Sequence, residues 1–288
     1  MTSKDYFVNV RFPPRLFDEL HSVQTKSPSE IVRESVATWL QYYKMDMKQT
    51  ELRPDENYTI IGKTRCGKTM LVQAMLSKIK KQIIIIDVHR EYNEFGVVKE
   101  IRHFAELPLG EESTAVVNKV WCQEKARALV KMIKKSKENV VIQPEFNDLA
   151  MEQLFIDELL KTLLQDHIIG DRKQELLLVE EANRYQDSLF PIVSQGLKTG
   201  LQTILISQFP LPSKIMLNTT IILGHMWSNM LEKTDLPKDI IDTCKFLKLY
   251  EWVWFDIKGN SWRKWVSYKP DNATEAATAA SPADSAGK

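Results

Sequence analysis

The segment from Gly62 to Thr69 has the clearest chemical potential in this chain of 288 residues. It follows the apolar run 58–61, and its glycines allow backbone N–H groups to turn inward around a phosphate. A helix beginning at Lys68 would point its positive N-terminal end at the same anion. We expect Lys68 to reach the β- and γ-phosphates and Thr69 to offer its hydroxyl to Mg²⁺. The predicted nucleotide-binding residues are Gly62, Lys63, Thr64, Arg65, Cys66, Gly67, Lys68 and Thr69.

A pair of acids, Glu180 and Glu181, follows the apolar run 176–179. A run of that kind predicts a strand buried on both faces, which would carry the acids to the C-terminal edge of a parallel sheet. We expect Glu180 to bind Mg²⁺, directly or through water, and Glu181 to orient and deprotonate the attacking water. A carboxylate that acts on water indicates hydrolysis rather than transfer to a small molecule. The alternative is that both acids merely end a strand at the surface.

Two further apolar runs, 83–86 and 203–206, also end in polar groups, in the segments 87–92 and 207–210. Parallel strands bring their C-terminal ends to one edge of a sheet, so these segments should lie beside the phosphate loop. The pattern predicts an α/β fold with a mainly parallel sheet. Near the C-terminus, residues 251–255 and 261–266 are predicted to form a hairpin, whose Trp262 and Trp265 either pack on the sheet or stack on nucleic acid.

These motifs, in this order, resemble the HerA/FtsK superfamily of ring-forming ATPases, and the HerA branch more than any other. The resemblance covers about residues 55 to 268. It implies a RecA-like P-loop NTPase core, ATP and Mg²⁺ as cofactors, double-stranded DNA as partner, and a homo-oligomeric ring that we expect to be hexameric. Gln208 would contact the γ-phosphate or its attacking water, unless it only binds backbone at the strand end. The matching residues are Asp87, His89, Glu91, Tyr92, Glu180, Glu181, Ala182, Ser207, Gln208, Phe209 and Pro210.

The chain departs from the family pattern in segment 196–200. The family has Gly-Arg-Lys-x-Gly there, whereas this sequence has Leu197 in place of the arginine. In such rings a neighbouring subunit's arginine neutralises charge on the transferring phosphoryl group. We expect Lys198 to take this catalytic role, with Arg184 as the alternative. Lysine lacks the planar fork of arginine and would be the poorer stabiliser.

In residues 1–48, Val8, Val10 and Phe12 alternate as in a strand with one buried face, and two amphipathic segments follow. This arrangement resembles a ribbon-helix-helix domain. The resemblance implies that two chains pair their strands into a ribbon that enters the DNA major groove. Three side chains would then face the bases, and the start of the second helix would bind a phosphate. The expected DNA-binding residues are Phe7, Asn9, Arg11 and Ser29. Because acids nearly balance the bases, a pure dimerisation or docking module is the alternative.

Composition fits this division of the chain. We predict a linker over 49–56, the ATPase over 57–270 and a disordered Ala/Ser-rich tail over 271–288. A formal charge of +1 indicates that any DNA contact is local. Three cysteines without metal spacing suit a reducing cytoplasm, and no membrane span is expected.

The expected function is therefore a Mg²⁺-dependent ATP hydrolase. Its ring would translocate, package or remodel double-stranded DNA, tethered by the N-terminal domain. A role in a mobile genetic element is plausible by analogy only. The alternative is a site-specific DNA-binding regulator or partition factor whose oligomeric state is switched by ATP.

Overall fold

The computed structural model describes residues 52–103, 111–170, 174–226, 228–232, 234–248 and 250–266. The predicted ribbon-helix-helix domain and tail lie outside these ranges. The expected DNA-binding residues Phe7, Asn9, Arg11 and Ser29 therefore also lie outside the described residues.

The described residues form one nine-stranded sheet. Its strands are β1 Tyr58–Ile61, β2 Gln82–Ile86, β3 Val97–His103, β4 Val140–Phe146, β5 Glu175–Val179, β6 Leu201–Ser207, β7 Thr220–Leu223, β8 Glu251–Asp256 and β9 Ser261–Val266. Their order in space is β3-β4-β2-β5-β6-β1-β7-β8-β9. Strands β1 to β7 pair in parallel, whereas β8 and β9 form an antiparallel extension. The predicted mainly parallel α/β fold and the C-terminal hairpin are confirmed.

The helices are α1 Lys68–Leu76, α2 Glu111–Lys135, α3 Leu149–Ile169, α4 Gln186–Gln195, α5 Ser213–Met216, α6 Ser228–Leu231 and α7 Lys238–Lys245. Short 3-10 helices occupy Asn93–Phe95, Ala182–Arg184 and Gly196–Thr199. We predicted a helix from about Lys68 to Lys80, whereas α1 ends at Leu76. After it the Lys78 and Ile79 N–H groups donate to the carbonyl oxygens of Met75 and Leu76, three residues back, in place of the helical bonds to the fourth residue back.

Apolar side chains cover both faces of the sheet. On one face α2 to α7 pack over alternate strand residues such as Ile84 and Ile86. On the other face α1 packs over Ile83 and Ile85, together with Trp265 of β9. Strands covered on both sides read as continuous apolar runs, which is why 83–86 and 176–179 were recognisable. The C-terminal ends of these parallel strands carry the polar segments to one edge.

The part of the predicted linker that the structure describes, residues 52–56, is hydrogen-bonded to the sheet. Gln202 Nε2 donates to the carbonyl oxygens of Arg53 and Glu56. The Thr220 hydroxyl donates to a Glu56 carboxylate oxygen at 3.0 Å. These residues therefore pack against the sheet, and the domain boundaries stay predictions.

The hairpin aromatic residues have different environments. Trp265 is buried in the core, so it is unavailable for stacking on nucleic acid. Trp262 is partly exposed, and its indole N–H donates to Asp239 at 2.6 Å. Within the described ranges, no helix has both the length and the apolar character needed to cross a membrane.

Candidate nucleotide-binding site

The phosphate loop connects β1 to α1, and both of its glycines lie where a side chain would clash with a neighbouring residue. Gly67 caps α1 with φ of 96°, and a Cβ there would lie 2.7 Å from the Tyr250 ring. A Cβ on Gly62 would lie 2.5 Å from Cys66 Sγ. Cys66 is buried under the loop, and burial raises the pKa of its thiol. We interpret Cys66 as a small packing residue of the loop rather than a reactive thiol.

Hydrogen bonds from Lys68 and from two backbone N–H groups fix the conformation of the phosphate loop. The Lys68 ammonium donates to the carbonyl oxygens of Gly62 at 2.7 Å and Lys63 at 3.0 Å. The Gly62 N–H donates to the Ser207 carbonyl, and the Lys63 N–H donates to the His225 carbonyl. The loop is therefore anchored to the ends of β6 and β7, and the Lys68 charge already lies over it.

The acid pair at the end of β5 is buried. One Glu180 carboxylate oxygen accepts the His89 N–H at 2.9 Å, and the other lies 3.3 Å from His89 Nδ1. The pKa of Glu180 is raised to about 7, chiefly by burial; His89 opposes the rise, and the negative charges of Asp87 and Glu91 contribute to it. Glu181 has φ of 50°, a left-handed conformation that is strained for a non-glycine residue and often marks functional sites.

Gln208 lies between the phosphate loop and the acids. Its Nε2 donates to Glu181 Oε1 at 2.7 Å, and its Oε1 accepts the Thr64 hydroxyl at 2.9 Å. The position follows from strand order, since β6 lies between β1 and β5. The residue after β6 is thus placed between the loop after β1 and the acids after β5.

The oxygen groups near Thr69 suit a magnesium ion. The Thr69 hydroxyl hydrogen-bonds to a carboxylate oxygen of Glu91, and Glu180 lies close enough to feel the Glu91 charge. Hydroxyl and carboxylate oxygens are the ligands Mg²⁺ prefers, and a cation would relieve the repulsion between the acids. Among the described residues no group of three or more His, Cys, Asp or Glu could hold a metal ion alone. Magnesium that is bound partly by phosphates needs no such group.

Lys198 lies apart from this cluster, whereas Arg184 follows the acid pair and directs its side chain to Glu152. Lys198 is exposed just before the first residue of β6, while Gln208 follows the last. A strand of this length separates its ends by about 20 Å, so Lys198 cannot reach its own chain's nucleotide. The Arg184 guanidinium pairs with Glu152 at 3.3 Å within the chain. Arg184 is therefore already engaged, whereas Lys198 has no ion pair with any residue that the structure describes.

The structure thus brings together Lys68, Thr69, Glu180, Glu181 and Gln208 at the C-terminal ends of the parallel strands. Lys198 lies at the N-terminal ends of these strands. The structure also adds His89 and Glu91 as direct partners of the site side chains, and it shows that Thr64, a predicted nucleotide-binding residue, contacts Gln208. All three belong to motif segments. Their contacts join strands distant in sequence, so local spacing does not reveal which acid or amide each one meets.

A phosphate loop between β1 and α1, on a mainly parallel sheet covered by helices on both faces, defines a P-loop NTPase fold. Comparison with solved structures agrees. The genome packaging NTPase B204 of Sulfolobus turreted icosahedral virus 2, solved in complex with ATP-gammaS, has a TM-score of 0.53 and 17% identity, covering 76% of this chain and 99% of that chain. VirB4 of Thermoanaerobacter pseudethanolicus has a TM-score of 0.54 and 14% identity, covering 74% of this chain and 89% of that chain. At these identities the likeness establishes the fold. No protein-family profile and no curated protein matches the sequence.

Proposed function

We propose that this protein is a Mg²⁺-dependent ATPase of the HerA/FtsK type, whose homo-oligomeric ring moves, packages or remodels double-stranded DNA. The N-terminal domain would tether the ring to DNA. The observation that carries the proposal is the convergence of Lys68, Thr69, Glu181 and Gln208 at one sheet edge. The fold shared with a viral packaging NTPase supports the same class of activity.

ATP binding would use the phosphate loop. Its N–H groups and the N-terminus of α1 face the phosphates, and the Lys68 ammonium exchanges its carbonyl contacts for phosphate oxygens. Thr69 and Glu180 would hold Mg²⁺, with Glu91 positioned to support the Thr69 hydroxyl. When bound, Mg²⁺ supplies positive charge that polarises the phosphoryl oxygens. ATP-gammaS and AMPPCP complexes of the packaging NTPase with this fold support the choice of nucleotide.

Hydrolysis would proceed through Glu181 as general base. The oxygen of a water molecule forms a bond to the γ-phosphorus, and the bond from that phosphorus to the β–γ bridging oxygen breaks. Glu181 accepts the proton that the water loses, and ADP and phosphate leave. Glu181 suits this role because it is held at the site edge by Gln208 and is buried beside the loop. Lys68 balances the charge on the phosphate oxygens.

Gln208 would link nucleotide occupancy to Glu181. In this arrangement its amide is shared between the Thr64 hydroxyl and Glu181. A γ-phosphate in the loop competes for Thr64, so its arrival and departure change the hydrogen bonds of Gln208 and, through them, the base. This geometry supports a sensor role.

Lys198 would act on the nucleotide of a neighbouring subunit. It is exposed and lies about 20 Å from the end of β6 that carries the site, so only a second chain could receive its charge. A cation supplied between subunits makes turnover depend on the assembled ring.

Steady-state ATPase rates with duplexes of increasing length test the motor. A motor takes more steps before it leaves a longer duplex, so turnover at equal base-pair concentration should rise with length and then level off. Rates that ignore length but respond to one specific DNA site would instead support the ATP-switched regulator. Lys68→Ala protein provides the background rate.

A further inference from the structure

An apolar groove of about 760 Å³ lies beside the segment that follows Gln208. One wall is the segment 209–212 with α5, and the opposite wall includes Leu236 and Phe255. At its rim Phe209 is 44% exposed and Leu217 is 61% exposed. Binding sites in proteins are commonly concave, mostly apolar and of about this size, so the groove is a candidate binding surface.

A second apolar surface lies on α2. We call it the valine patch, and it consists of Val116, Val117 and Val120, which are 64%, 45% and 48% exposed. Their spacing places them on one face of the helix, while the opposite face buries Cys122 and Ala126. Clustered apolar side chains on an otherwise polar helix face indicate a contact surface.

The groove and the valine patch lie at opposite ends of one helical layer. Along that face of the sheet α2 packs on α3, α3 on α4, and α4 on α5, which forms part of the groove. The two surfaces therefore cannot meet within one subunit. Two different, complementary surfaces at opposite ends of a chain are the requirement for head-to-tail association into a ring.

We propose that the valine patch of one copy of this chain docks in the groove of the next copy. Val117 and Val116 precede Val120 by three and four positions, the separations that place apolar anchors on one face of a helix laid in an apolar groove. The inference rests on the proposed ring and names the surfaces that close it. Phe209 lines the groove and directly follows Gln208 in the sequence. A docked subunit would therefore contact the immediate neighbour of Gln208.

The charges near the two surfaces agree with this pairing. Asp235 lines the groove and is exposed, and its carboxylate accepts the Ser213 hydroxyl at 2.6 Å. Within the described ranges Asp235 has no ion pair. Lys119 is exposed beside the valines on α2. A docked α2 would bring a cation to a groove whose lining includes this carboxylate.

Thiol crosslinking of the full-length protein tests the contact. The three native cysteines, Cys66, Cys122 and Cys244, are all buried. Crosslinking through introduced thiols can therefore be measured with little background from the native ones. A Val117→Cys protein mixed with a Leu217→Cys protein, with ATP analogue and a short bismaleimide, should give a covalent dimer. The matched control replaces Val117→Cys by Ile169→Cys, an 86% exposed apolar position on α3, and should give none.

The double variant Val117→Cys/Leu217→Cys should give a ladder of covalent multimers. A crosslink confined to single chains, or equal crosslinking of the Ile169→Cys control, would overturn the proposal.

Substitution of the valines gives a second measurement. Val116→Lys/Val120→Lys should shift the mass in light scattering from oligomer to monomer and raise the concentration needed for assembly about tenfold or more, since each docked valine loses its burial. ATP-analogue binding should persist. Ile168→Lys/Ile169→Lys is the control and should assemble normally.

If the wild-type protein assembles and the valine substitutions leave its assembly unchanged, this interface is rejected and the proposed ring is not. A wild-type protein that stays monomeric with ATP analogue and DNA would reject the ring and the interface together.

Discussion

The Gln208 amide donates a 2.7 Å hydrogen bond to Oε1 of Glu181. The same amide accepts the Thr64 hydroxyl at 2.9 Å, so it connects the proposed base to the phosphate loop. The bond occupies one Glu181 oxygen and leaves the other for water. Base activation and phosphate binding therefore share one side chain.

Glu181→Gln should abolish turnover while ATP still binds. The amide keeps the size of the carboxylate but accepts no proton, so we expect kcat to fall about 100-fold or more. Single-turnover assays and a nucleotide-binding titration measure both properties. Glu180→Gln should instead weaken the response to Mg²⁺. If Glu180→Gln stops turnover and Glu181→Gln does not, the two roles are exchanged.

Lys68→Ala should abolish ATP hydrolysis without unfolding the protein. Among the described residues the ammonium hydrogen-bonds only to carbonyl oxygens of its own loop, so its removal costs the fold little but removes the charge expected to face the phosphates. ATPase assays with circular dichroism melting curves measure the two effects. Lys80→Ala removes an exposed lysine outside the loop and should behave as wild type. Unchanged turnover in Lys68→Ala protein is incompatible with the assigned site.

Lys198→Ala and Lys68→Ala proteins, each inactive alone, should recover activity when mixed. Mixed rings contain interfaces in which an intact phosphate loop faces an intact Lys198. Random mixing at equal amounts predicts up to about one quarter of the wild-type rate. Native mass spectrometry verifies that the rings are mixed. Full activity of Lys198→Ala alone would exclude this lysine and favour Arg184 after release from Glu152.

Arg11→Ala in the full chain should weaken binding to a specific DNA site more than binding to random duplex. A guanidinium that reads guanine contributes about 1–3 kcal/mol of discrimination, whereas phosphate contacts contribute to every sequence. Fluorescence anisotropy at two salt concentrations separates the base contacts from the phosphate contacts, because phosphate contacts release counterions. A wild-type chain whose DNA affinity does not change with salt would favour the docking alternative for residues 1–48.

The native thiols should react slowly at pH 8. Burial raises the pKa of Cys122 to about 11 and that of Cys244 to about 12, and it also raises the pKa of Cys66. A thiol with a raised pKa stays in its unreactive protonated form until the pH exceeds that pKa. The thiolate fraction at pH 8 is therefore small. Ellman's reagent should modify three thiols only after denaturation. Fast labelling of Cys66 that ATP prevents would show that the loop opens.

Much of the site could be predicted locally. The phosphate loop is one continuous segment, and its function depends on backbone conformation that glycines at particular positions allow. The strands before the motifs were recognisable because burial on both faces requires unbroken apolar runs such as 83–86. The sequence predicts a helix that begins near Glu124, whereas α2 begins at Glu111. Val116, Val117 and Val120 in the N-terminal half of α2 are exposed and do not continue the buried stripe around Cys122.

The order of the strands could not be predicted from local patterns. The amino-acid sequence was enough to predict that a phosphate loop, an acid pair and a Ser-Gln segment follow buried strands. It did not determine that β6 lies between β1 and β5, which places Gln208 against Thr64 and Glu181. It also did not show that Lys198 lies at the far end of β6. Periodicity reports which face of an element is buried, whereas contacts between distant segments depend on which strands pair, and that is set by packing of the whole sheet.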